Sequence, residues 1–145
     1  MDNGPLIVNG GATLQEDNVG IYFRGDLAVL NLGQDSTVSL SAPKSGVMAG
    51  ILFFEDRSAP LLRTFKISSD NARKLLGTIY LPRGMFYVGS NQPVADQSAY
   101  TVVVARIVRM DSGPNLVLNS DYGATDVPVP QGVGPTGGST ISLSQ

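Results

Sequence analysis

Residues 48–54 form an almost unbroken apolar run, set between a turn carrying Pro43 and Gly46 and the charge cluster Glu55, Asp56, Arg57. A run this continuous suits a strand buried on both faces rather than one side of a hairpin. Comparable blocks occur at residues 20–25, 77–82 and 102–107. From Gly20 to Gly50 is 30 residues, from Gly50 to Gly77 is 27, and from Gly77 to Val102 is 25. A second series, at residues 37–40, 64–67, 85–88 and 115–118, falls between the first. In residues 37–41, Val38 and Leu40 alternate with Thr37, Ser39 and Ser41, which buries one face and wets the other. Two interleaved strand series at a period in the twenties predict a coiled β-solenoid.

Other stretches fill in the coils. Residues 6–8 and 12–14 read as short strands on either side of the Asn9-Gly10-Gly11 turn, and residues 100–110 as the longest strand. Residues 70–76 alone have a helical flavour, with Asp70 placed as an N-cap, though a single turn or a loop fits as well. The expected architecture is all-β: a short right-handed parallel β-helix over residues 1–126, followed by a Pro/Gly-rich extended tail over 127–145. Within that tail, residues 141–144 read as a last strand or a cap. Coiling solves a problem the sequence poses, since its apolar runs need cover on both faces and no helices exist to give it. The alternative is an antiparallel sandwich or jelly roll built from the same short strands.

Composition narrows the chemistry. The chain of 145 residues is 42% hydrophobic but only 15% charged, against a usual ~25%, and holds 17 glycines. A net charge of −2 argues against a general nucleic-acid binder, which needs a basic patch to neutralise phosphates. With no Cys and no His, disulfides, thiol catalysis and the commonest general base are excluded, and no cofactor is called for.

Residues 40–57, 75–82 and 116–122 together with 125–130 resemble, in that order, the C-terminal domain of TadG-like proteins, bacterial envelope components of the Tad (Flp) pilus machinery. The likeness runs from about Val8 to Pro130. It implies an exported, non-catalytic structural and protein-interaction module on the periplasmic or extracellular side of the inner membrane. Other pilus-assembly or envelope proteins, or further copies of the chain, would be its partners. It also implies a membrane tether and further domain N-terminal to this region.

Candidate chemistry is sparse. Glu55, Asp56 and Arg57 are the leading groove candidates, but neighbouring strand residues point to opposite faces, so a charged corner with Arg57 pairing one carboxylate is the plainer expectation. A polysaccharide-binding or -cleaving site would require Asp35, Glu55, Asp56 and Asp70 to line one groove. Asp111, Asp121 and Asp126 with Asn115 and Asn119 could supply oxygen ligands to Ca²⁺, although such residues at corners ordinarily bond their own backbone. Tyr22, Phe23, Phe53, Phe54, Tyr80, Phe86 and Tyr87 read as stacked core and rim aromatics rather than a sugar platform. Asp126, Val127, Pro128, Val129 and Pro130 form the candidate cap or subunit contact, because prolines without donors suit only an edge.

Overall fold

The computed structural model describes residues 1–111, 113 and 116–134. The first seven strands are short because Gly and polar corner residues interrupt each apolar stretch, and every strand-to-strand ladder is parallel. The chain is a parallel β-helix with three faces. The first face stacks β1 (Leu6–Val8), β4 (Leu30–Leu32), β7 (Thr64–Ile67), the end of β8 (Asn71–Val88) and the end of β9 (Thr101–Met110). The second stacks β2 (Thr13–Glu16), β5 (Thr37–Ser41) and the start of β8, then continues through a parallel bridge between Val94 and Leu116. The third stacks β3 (Ile21–Phe23), β6 (Ile51–Glu55), the middle of β8 and the start of β9.

In-register stacking puts like residues in columns. On the first face Leu6, Leu30, Phe65, Phe86 and Val108 form one inward column, and Val8, Leu32, Ile67, Val88 and Met110 the next. Their steps of 24, 35, 21 and 22 residues give the coil lengths. The long step belongs to the coil that carries the insertion between β5 and β6. Inside, Phe23 packs edge-on against Phe53 and Phe65 at centroid separations of 6.0 and 5.1 Å. Such pairs add about 0.5–1.5 kcal/mol each beyond area burial.

Four expectations change. The second strand series does not share a sheet: β5 lies on the second face, while residues 64–67 and 85–88 lie on the first. Residues 71–76 are strand, not helix, because Ala72, Leu75 and Leu76 are drawn into the core by the pairing of β8 with β5. Asp70 caps no helix and sits at a corner, accepting the Asn91 N–H at 2.7 Å. The strand expected from Met48 starts only at Ile51, since residues 47–50 form a turn in which Val47 is 101% exposed. The longest strand is β8, of 18 residues, which bends through corners at Gly77 and at 82–84, and its ladder with β9 shifts register across the second of them. Residues 141–144 lie outside the described residues.

Candidate interaction surfaces

Strand alternation separates the leading acidic pair. Glu55 points inward with 0% exposure, whereas Asp56 faces solvent. The Glu55 carboxylate accepts from Arg63 Nη2 at 2.9 Å and Nε at 3.3 Å through one oxygen. Its other oxygen takes the backbone N–H groups of Arg83 at 2.9 Å and Gly84 at 2.8 Å. Glu55 therefore joins β6 to the chain leaving it and to the β8 corner of the next coil. The expected pairing of Arg57 with a carboxylate does not occur: Arg57 Nε donates to the Tyr80 hydroxyl at 3.1 Å, and Arg63 takes its place. Sequence spacing could not reveal this, because the eight-residue step from Glu55 to Arg63 crosses a loop whose path depends on Leu62 at φ 64°.

Several aspartates are likewise engaged, at different corners. Asp56 accepts from the Tyr22 hydroxyl at 2.6 Å and from the Ser58 N–H and hydroxyl, which holds its pKa down at about 2. Asp70 is lowered by the Asn91 N–H, Asp96 by Arg73, and Asp17 first by the Ser41 hydroxyl and then by Lys74. Every shifted aspartate moves downward, the opposite of what a general acid needs. Asp35 and Asp70, at the corner between the first two faces, share no groove with Glu55 and Asp56. The Ca²⁺ grouping does not assemble either, for Asp111 pairs with Arg109 and Asp126 with Lys44, while the Asn119 amide donates to the Asp96 and Ser98 carbonyls. Asn115 lies outside the described residues. Among the described residues no cluster of acidic side chains could hold a metal ion.

On the outside of the third face Tyr22, Phe54 and Tyr80 stand one above another. Phe54 and Tyr80 stack at 5.2 Å and 26°, and Tyr22 meets Phe54 edge-on at 5.5 Å. Phe54 and Tyr80 thus cover each other's faces and turn their edges outward, whereas a sugar platform offers ring faces. Phe23, Phe53 and Phe86 are core, and Tyr87 lies under Lys66 and Arg109. Beside the column an apolar hollow of about 300 Å³ is lined by Tyr22, Val47, Met48, Ile51 and Phe54. A smaller hollow of about 170 Å³ reaches Thr78, whose buried hydroxyl has no partner among the described residues.

The stretch Asp126, Val127, Pro128, Val129, Pro130 does not cover the end of the solenoid. It runs up the side, as a strap against the insertion between β5 and β6. Lys44 Nζ pairs with Asp126 at 2.7 Å, and the Tyr100 hydroxyl donates to the Pro128 carbonyl at 2.6 Å. Val127 is buried in the core itself, so the chain passes the expected boundary at 126/127 without leaving the solenoid. Burial, with Tyr122 beside it, pushes the Tyr100 phenol up to about 12. A tyrosine in the unfolded chain ionises near 10, so the folded state holds this proton more tightly. The resulting stability is complete below pH ~10 and is lost as pH rises towards 12, on the order of 2–3 kcal/mol in all. Urea titrations on either side of that window should show the loss in the native chain and a much smaller one in Tyr100→Phe.

The tail end is the surface that the sequence did not announce. Val108 and Met110 occupy inward columns below Phe86 and Val88, yet are 47% and 54% exposed because no coil among the described residues covers them. At the head end the corresponding edge is defended: Glu16 stands over Leu40 and Leu75 in an inward column of the second face. Residues 1–3 also bond to Arg24 beside β3.

These features define the chain as a parallel β-helix protein whose last described coil leaves apolar residues exposed. In comparisons with known proteins, no family model matches the chain, no curated protein matches it, and no solved structure matches it.

Proposed function

We propose that the chain is a non-catalytic structural and protein-interaction module of a bacterial Tad (Flp) pilus-assembly envelope protein, acting through its open tail end. The pilus assignment and the location in the cell envelope rest on the TadG-like resemblance of residues 40–57, 75–82, 116–122 and 125–130. The interaction role rests on one observation: among the described residues the apolar columns end uncovered at Val108 and Met110, on a strand whose outer edge takes a described backbone partner only at Thr101. Exposed apolar surface of this kind marks contact sites. A non-catalytic reading is supported by the bonds that tie up Glu55 and by the lowered pKa values of Asp17, Asp56, Asp70, Asp96 and Asp126. The alternative, a surface-polysaccharide-binding or -cleaving β-helix, is weakened by aromatic rings that present edges.

The test is binding of the purified chain to Flp pilin and Tad envelope components, alongside a panel of surface polysaccharides. Binding to a pilus component that Val108→Lys abolishes is the expected result. Glycan binding or cleavage that survives Val108→Lys, with no pilus component bound, would overturn the reading.

A further inference from the structure

The geometry points to a second copy of this chain as the occupant of the open end, docked tail to tail about a two-fold axis at the corner between Ala105 and Arg106. This rests on the proposed function only in treating that end as a contact surface. The argument comes from β9, which crosses from the third face to the first and changes parity as it does so.

Before the corner, Val103 and Ala105 lie under inward Ile79 and Leu81, so odd-numbered residues face the core. After it, Val108 and Met110 lie under inward Phe86 and Val88, so even-numbered residues do. The backbone changes in step. The Thr101 N–H donates away from β8, to the Asn119 carbonyl, so by alternation Val103 and Ala105 present their N–H and C=O groups to the open edge. The Asp111 N–H donates back to Val88, so Met110 and Val108 present theirs to the open edge as well.

In an antiparallel pair, opposed residues must share a sheet face and a hydrogen-bonding side. An unbroken strand paired with its own copy about a point between two residues sets odd against even and fails on both counts. The parity change in β9 removes that conflict. With the axis between Ala105 and Arg106, Val103 opposes Val108 of the second copy, both facing inward with free N–H and C=O groups. Val104 opposes Ile107, both facing outward and both exposed apolar residues. Val102 opposes Arg109, while Ala105 and Arg106 lie at the corner itself, where the register shifts, and flank the axis without forming a ladder pair. The same axis lays the third face of one copy over the first face of the other, so the bend in each strand follows the bend in its partner.

A stable interface uses about 20–30 residues a side, and the described residues of the last coil, 101–111, 113 and 116–121, come just short of that, as suits a reversible dimer rather than a permanent one. Its apolar content meets a like surface: Val103, Val108, Met110 and Leu118 would close the cores of the two copies over one another. The Arg106 side chains of the two copies flank the axis on the solvent side. Their repulsion is screened by salt, so association tightens as ionic strength rises.

The chain has no Cys, so a single introduced thiol reports directly on this geometry. Sedimentation of the full chain should show a reversible shift from 15.2 kDa to a dimer, strengthened by salt. Oxidised Arg106→Cys should be trapped as a covalent dimer, while Ile7→Cys, exposed near the head end, should not. Val108→Lys, with circular dichroism unchanged, should weaken association at least about 30-fold, as loss of a central anchor does. A chain that stays monomeric up to about 1 mM, where any surviving affinity is negligible, overturns the self-pairing. So does trapping that is equal at the two thiol positions, or dimerisation that appears only when residues 135–145 are deleted. If the monomer still binds a pilus component in a way that Val108→Lys abolishes, the functional reading stands and only the self-pairing falls. Dimerisation without any pilus binding gives the converse.

Discussion

Glu55→Gln should lower the free energy of unfolding by about 3–5 kcal/mol, because it leaves Arg63 as a buried cation without its counter-charge. In a chain of this length that corresponds to a melting temperature lower by roughly 10–15 °C. The side chains of Arg63 and Glu55 are 5% and 0% exposed, so water cannot replace the lost charge. The amide aggravates the loss, since its NH₂ group must face either the Arg63 guanidinium or the Arg83 and Gly84 N–H groups, all of them donors. Adding Arg63→Met to Glu55→Gln removes the stranded cation and should recover part of the stability. It cannot recover all of it, because once the amide oxygen takes the Arg83 and Gly84 N–H groups the amide NH₂ faces Met without an acceptor, and the Gly25 carbonyl has lost its Arg63 donor. Equilibrium urea unfolding of the two single variants and the double variant measures the coupling. A single-variant loss below about 1 kcal/mol would place Glu55 among ordinary surface ion pairs and sink the argument that it fastens consecutive coils.

The sequence made the coiling legible but hid the number of faces, and the reason is physical. Residues 20–25, 50–55, 77–82 and 102–107 announce the third face because each block holds an inward column (Ile21, Phe53, Ile79, Val103) beside an outward one, Tyr22, Phe54, Tyr80 and Val104. Aromatic side chains on the outside make those strands read as continuous apolar runs. The first and second faces alternate apolar with polar residues in the same way as each other, so β5 on one and β7 on the other could not be told apart. Residues 71–76 misled for a different reason: the ladder with β5 shifts register here, so Arg73 and Lys74 both lean outward, where Arg73 pairs with Asp96 and Lys74 with Asp17, and local propensity yields to those cross-coil partners. Of the candidate site, the separation of Glu55 from Asp56 followed from alternation alone. The open end did not, because whether Val108 is covered depends on the presence of one more coil, not on its neighbours in sequence.

Gly50→Ala should destabilise the full chain by roughly 3 kcal/mol, and a chain ending at Thr125 by only about 1 kcal/mol. Gly50 adopts φ 75°, a conformation that costs an L-residue with a side chain about 1–2 kcal/mol wherever it occurs. A Cβ there would also press into the Pro128 carbonyl and come within 2.9 Å of Pro130 Cδ, so the strap must lift. Lifting it breaks the Tyr100 hydroxyl bond to Pro128, draws Asp126 from Lys44 and exposes Val127. Once residues 126–145 are removed, only the backbone strain remains, and the two changes become strongly non-additive. The truncation alone should itself lower the melting temperature, since it uncovers a buried valine and leaves the Tyr100 hydroxyl bonded to Gly50 only at 3.5 Å. If Gly50→Ala costs the same in both backgrounds, the strap does not bear on Gly50. The stability of the second coil would then come from its own ladders.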